Sequence, residues 1–246
     1  MRTRPLVVSF ALMTAALPAV AQDFRFTGTA TTDGGNVIYE ERHAVDGTCE
    51  EGIFRPRQHE VAYHKPGSEA SFARKSLEYG ASVLRPTVDF LQPTFDEKME
   101  ITYPEPDTLM INWQTPVGDS ERFQVGYSSN TVVDAGFDNF VRQNWQSVLA
   151  GDPVEFRFLG PTRGEHYGFV LERVENEQID ADHVVQIRPT GMVLRFLVDP
   201  IVLGYNNAGA LSDYLGLTNI RKNQDENYTA HLRYSVQTSP DCELTP

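Results

Sequence analysis

The chain is poor in cysteine: 246 residues carry two, Cys49 and Cys242. That excludes a multi-disulfide framework, and no Cys-x-x-Cys pair is present to hold a metal. Basic residues are also scarce, 21 against 34 acidic, for a net charge of −13. Such a surface repels phosphate backbones and anionic bilayers, so nucleic-acid and membrane-surface binding are not expected. After the first twenty or so residues no run is apolar enough to cross a membrane, which takes about 18 residues or more. Catalytic signatures are missing too. "GYSSN" lacks the second glycine of a nucleophile elbow, and no phosphate-binding glycine loop or EF-hand loop occurs. "HEVAYH" looks like a zinc-protease motif, but His59 and His64 are five apart where a helix face needs four. In a strand that odd spacing puts the two rings on opposite faces. No cofactor or metal is implied. "NYT" at Asn227 matches the glycosylation triplet, a match too short to carry weight.

What is there begins with "MRTRPLVVSFALMTAALPAVAQ". Two arginines, an apolar stretch and Ala19-Val20-Ala21 predict a secretory signal peptide over 1–21. No cysteine follows it, so no lipid anchor is expected. Its removal takes two arginines and no acids, which leaves 19 basic against 34 acidic residues over 22–246, a net charge of −15. The expected location is the periplasm or the exterior. In an oxidising compartment Cys49 and Cys242 are a natural disulfide pair tying the C-terminal tail to the first hairpin.

Most of residues 22–246 alternates with period two between turn residues, the mark of antiparallel strands. "DFRFTGTATT" and "NVIYEERHAV" flank "DGG", and "HEVAYHK" and "EASFARKSLEY" flank "PGS". The second of these segments also has helix-forming composition over Ser68–Tyr79, but the adjacent turn favours a hairpin. "EKMEITY", "TLMINWQT" and "ERFQVGY" continue the pattern. So do "VEFRFL", "YGFVLERVE", "HVVQIRP", "ALSDYLGLTNIRK" and "NYTAHLRYSV". "MVLRFLVDPIVLGY" is apolar on both faces and is expected to be a core strand over Met192–Tyr205, with an edge or bulge at Pro200.

One segment has helical period, "VVDAGFDNFVRQNWQSVLAGDP". Asp134 is a candidate N-cap, Gly151 a left-handed terminator and Pro153 a stop. Phe137, Phe140, Val141, Trp145, Val148 and Leu149 share one arc. The expected architecture is one mainly β domain, a strongly curved antiparallel sheet or incomplete barrel wrapped around one long helix at about 135–150. Two polar residues lie on or beside the apolar arc. Asp138 can pair with Arg142 at i, i+4 on the rim, whereas Asn144 has no partner within its own helix.

The signal peptide, "YEERH", "GFDNFVRQNW" and "YLGLTNI" together resemble a group of periplasmic β-rich proteins of Gram-negative bacteria. That group lends no catalytic or binding residues. In architecture the chain is also similar to the LolA and LolB lipoprotein carriers, whose curved sheet and helical cover enclose an apolar cavity, although no motif is shared. The leading expectation is a non-catalytic protein that binds an apolar or amphiphilic ligand, lipid-like for example, or a partner's segment in the half-barrel. Phe137, Asp138, Val141, Asn144, Trp145, Phe196 and Val198 would line the site. One alternative is a hydrolase-like enzyme using Glu41 and His43, which share a strand face. Another is a structural or envelope-assembly factor.

Overall fold

The computed structural model describes residues 21–195 and 198–246. All but the last residue of the expected leader lies outside them, as does Phe196.

The alternating segments form strands where expected. In the first half these are β1 (Ala21–Thr31), β2 (Val37–Glu50), β3 (Ile53–His64), β4 (Ser71–Glu78), β5 (Thr87–Gln92), β6 (Glu97–Glu105), β7 (Thr108–Gln114) and β8 (Ser120–Gly126). After β9 (Thr131–Val132) come α1 (Gly136–Gln143) and α2 (Trp145–Ala150). The second half holds β10 (Val154–Gly160), β11 (Glu165–Arg173), β12 (His183–Pro189), α3 (Met192–Arg195), β13 (Ile201–Tyr205), β14 (Leu211–Arg221) and β15 (Asn227–Thr238). The Ser68–Tyr79 ambiguity resolves as strand, because β4 lies between β3 and β5 with Ala73, Lys75 and Leu77 buried on one face.

All fifteen strands of the described residues join one sheet, in the order β8-β7-β6-β5-β4-β3-β2-β1-β15-β14-β13-β12-β11-β10-β9. Every pairing is antiparallel except the short parallel match of β9 with β10. The sheet coils on itself. Arg221 of β14 is ion-paired with Glu97 of β6 at 2.8 Å across six intervening strands. The two margins approach one another: His166 Nε2 of β11 donates to the Gly126 carbonyl of β8 at 3.0 Å. No ladder joins β8 to β9 or β10 among the described residues, so the sheet is curved but not closed as a barrel.

Two expectations need correction. The helical segment is two short helices, broken at Asn144 (φ −102°, ψ 17°). The Asn144 side-chain amide donates to the Phe140 carbonyl at 2.8 Å, and its backbone N–H is shared between Phe140 and Val141. Asparagine in a helix competes with the backbone for its own hydrogen bonds, and here it tightens and ends the first helix. Gly151 terminates α2 in the left-handed region as expected (φ 86°). Asp134 does not cap α1 in the expected way: it has φ 46° and accepts from the Ala135 N–H and from Lys75 Nζ. The second correction concerns Met192–Tyr205. Only Ile201–Tyr205 is strand, while Met192–Arg195 is a helical turn and Met192 is 80 % exposed. Pro200 has no N–H to give a ladder, and β13 starts immediately after it.

Three apolar clusters fill the structure. The largest lies inside β2–β8 with β14 and β15, around Tyr39, Tyr63, Leu77, Ile101, Leu109, Ile111, Ile220 and Leu232. A second packs Phe140, Val141, Trp145 and Val148 against Phe156, Leu171, Val185, Leu203 and Tyr205. The third gathers Phe24, Phe26, Val45, Phe54, Ala210 and Leu244 beside the expected disulfide, which joins Cys49 to Cys242. Gly136 opens α1 because a Cβ there would stand 2.2 Å from the Leu84 carbonyl oxygen, a contact of backbone with backbone that cannot relax. No described helix is long and apolar enough to cross a membrane.

Candidate functional site

The helix-side candidates converge in part. Val141 is fully buried, and Trp145 packs edge-to-face on Tyr205 (5.6 Å) and His183 (5.2 Å). Phe137 is half-buried beside Tyr214, 6.1 Å away. Asp138 and Arg142 do pair, at 2.8 Å, but the pair is enclosed rather than on the rim, with side chains 20 % and 8 % exposed. Tyr205 Oη donates to Asp138 at 3.1 Å, and Arg142 Nε donates to the Gly209 carbonyl at 3.0 Å. The Arg142 guanidinium also lies 5.7 Å from the Phe24 ring centroid. Burial pushes the Asp138 carboxyl upward, while Arg142 and the Tyr205 hydroxyl pull it back. The cluster therefore acts as a clasp joining α1, β13, the 206–209 turn and β1. Asn144 stands apart at the helix break, already bonded to Phe140. Val198 belongs to the segment after α3, where its N–H donates to Leu194. Phe196 lies outside the described residues.

The Glu41–His43 pair forms, within a larger group. Glu41 Oε2 is 2.8 Å from His43 Nε2 and accepts from Tyr234 Oη at 3.1 Å. His43 Nδ1 is 2.9 Å from His59 Nε2. One proton lies between His43 Nδ1 and His59 Nε2, and one between His43 Nε2 and the Glu41 carboxylate. Phe26 stacks on His43 at 4.2 Å. Burial, then the charges of His43, Lys75 and Arg142, hold His59 well below the usual imidazole range. Burial also drives Tyr234 up. Both nitrogens of His43 are engaged, and the Glu41 and His43 side chains are 7 % and 10 % exposed. A general base needs a free lone pair facing substrate, and this imidazole keeps none. Sequence reading missed His59 and Tyr234 because only the register of β2 with β3, which pairs Val45 with His59, and the β1–β15 pairing bring them in.

Further polar pairs cross the interior: Lys75 with Asp134 at 2.7 Å, and Glu97 with Arg221 and the Trp113 indole N–H. Aromatic side chains and paired charges thus pack inside the coil, where the Tyr39 hydroxyl and both His64 nitrogens are buried with no hydrogen-bond partner among the described residues. Open concavity lies at the surface instead. A cleft of about 450 Å³ is lined by Glu50, Arg55, Pro56, Arg57, the 79–84 segment and Gln143. Neither arginine stood out in the sequence, since strand alternation alone gives no reason for two of them on one face. A shallower hollow of about 610 Å³ lies between the Pro93–Asp96 turn and the Lys222–Asp225 turn.

The unpaired margin is the other distinctive feature. Tyr127 N–H donates to Asp107 on the β7 side, whereas the Gly126 carbonyl faces away and meets His166. Main-chain groups alternate sides along an antiparallel strand, so Ser120, Arg122 and Gln124 turn their N–H and C=O to the free side. All three are exposed. Comparison with protein-family models, with curated proteins and with solved structures gave no match.

Proposed function

We propose that the protein is a non-catalytic factor of the bacterial periplasm that binds an extended segment of an envelope partner along the free side of β8. The observation that carries this reading is the unclosed sheet: Ser120, Arg122 and Gln124 turn three N–H and three C=O groups to a side where no strand pairs with them among the described residues. Strand addition uses such an edge, with main-chain bonds giving affinity and side-chain contacts giving choice. Glu121 and Arg122 flank the edge with opposite charges, which discourages indiscriminate pairing. The expected leader and the Cys49–Cys242 disulfide support an oxidising compartment. The aromatic clusters packed inside the coil favour a docked segment over a ligand swallowed by the half-barrel. A hydrolytic reading has less support, because Glu41 and His43 are saturated by their neighbours.

The test is a photocrosslinking residue at Gln124 in living cells, compared with one at exposed Val117. A discrete crosslinked species is expected from position 124 only. Adding Arg122→Pro should abolish it while leaving the fold intact, because the lost N–H points away from β7. Crosslinks that are absent, or that persist with proline in place, would remove the edge from consideration.

A further inference from the structure

We infer that the cleft between β3 and the 79–84 segment binds a small amphiphilic anion, a carboxylate or phosphate bearing an apolar tail. This site is separate from the β8 edge and does not depend on it. Arg55 and Arg57 both line the cleft from β3, where Arg57 is the extra residue of a bulge between Pro56, opposite Gly47, and Gln58, opposite Asp46. Arg57 is tied to Glu50 (3.7 Å) and to Thr48 Oγ1 (3.4 Å). Arg55 also lines the cleft, and it has no ion pair or side-chain hydrogen bond among the described residues. With one carboxylate against two guanidinia, the cleft carries net positive charge in a strongly acidic chain. Free guanidinium donors in a fork match an oxyanion's geometry.

The opposite wall supplies different chemistry. Gly80, Ala81 and Ser82 form an irregular segment, while Tyr79, Val83 and Leu84 add apolar surface that Pro56 continues on the β3 side. That segment is held from behind: the Val83 carbonyl accepts from Asn139, the Leu84 carbonyl from Val133, and Ser82 Oγ from the Leu84 N–H. The wall is therefore fixed before any ligand arrives, which spares the ordering that weakens flexible sites. The volume falls within the range of about 300–1,000 Å³ usual for small-molecule sites. A head group on Arg55 and Arg57, with a short tail along Pro56, Val83 and Leu84, uses both walls.

Titration of the full mature chain with octanoate, octyl phosphate and neutral octanol, followed by amide NMR, tests the assignment. Either anionic probe should bind saturably and shift the Gly80–Leu84 amides, and the stronger of the two identifies the head group. Octanol should bind at least about tenfold more weakly, and Arg55→Ala should weaken the anion by a similar factor. Gln143→Glu, an exposed change that places a negative charge in the cleft, should do the same without touching an arginine. Saturable binding of octanol equal to the anions, indifference to both variants, or no saturable binding of either anion would overturn the proposal.

Discussion

His59 gives the sharpest prediction about stability. In the unfolded chain this imidazole charges through its ordinary value of 6.5, but in the fold it is held well below that by burial and by neighbouring positive charge. Below 6.5, then, the unfolded state binds a proton that the folded state refuses. Stability is full above 6.5 and is lost as the pH falls toward the folded value. Between about pH 7.5 and about pH 5.5 this single site should remove on the order of 1 kcal/mol. His59→Gln keeps an amide able to hydrogen-bond His43 Nδ1 as donor or acceptor and removes the titration. Urea unfolding of both proteins at the two pH values isolates the term, because other titrating groups are common to both. The wild type should lose on the order of 1 kcal/mol more than the variant. Parallel losses would mean that His59 is not a buried neutral imidazole, and the Glu41–His43–His59 arrangement would then need another protonation pattern.

The disulfide closes a span of 193 residues, so Cys49→Ser with Cys242→Ser should reduce stability by up to about 5 kcal/mol. For a domain of this size that is a fall in Tm of roughly 10–20 °C by calorimetry, and a change of only a degree or two would refute the estimate. Glu97→Ala leaves Arg221 buried without its carboxylate and frees the Trp113 indole N–H. A loss of about 3–5 kcal/mol is expected in urea unfolding, with a shift in tryptophan emission in the folded state. Gly136→Ala drives a methyl into the Leu84 carbonyl and should lose about 1–3 kcal/mol, whereas an unchanged midpoint would show that the segment yields freely.

The strands were legible because one face of nearly every strand is buried, so period-two alternation and turn residues carry the information locally. The disulfide was legible because two cysteines leave one pairing. The helix break was not read, although its cause was visible: Asn144 had a partner after all, the Phe140 carbonyl one turn back. Asp138 found Arg142 as its spacing allowed, but the depth of the pair depends on Tyr205 and Gly209, some 67 residues away in sequence. The apolar run at Met192 misled because hydrophobicity without alternation does not separate strand from helical turn. The cleft was invisible because its walls, β3 and the 79–84 segment, meet only through strand register.

The order of strands in the sheet has a consequence for how the chain assembles. Read from β9 through β15 and on through β1 to β8, spatial order is sequence order with a single jump, the β1–β15 ladder. The order is thus that of a circularly permuted meander with one parallel crossover, β9 to β10 through the helices, and the disulfide joins β2 to the tail after β15. Its sequence-adjacent strands β8 and β9 stand at opposite margins, joined by a turn whose carbonyls at Ser128, Ser129 and Thr131 Arg85 holds together. Linking the end of β15 to the start of β1 and reopening the chain at that turn would leave β9–β10 as the one ladder among the described strands that does not join hairpin neighbours. Since local contacts form faster than distant ones, such a rearranged chain should reach the same sheet sooner than the natural one.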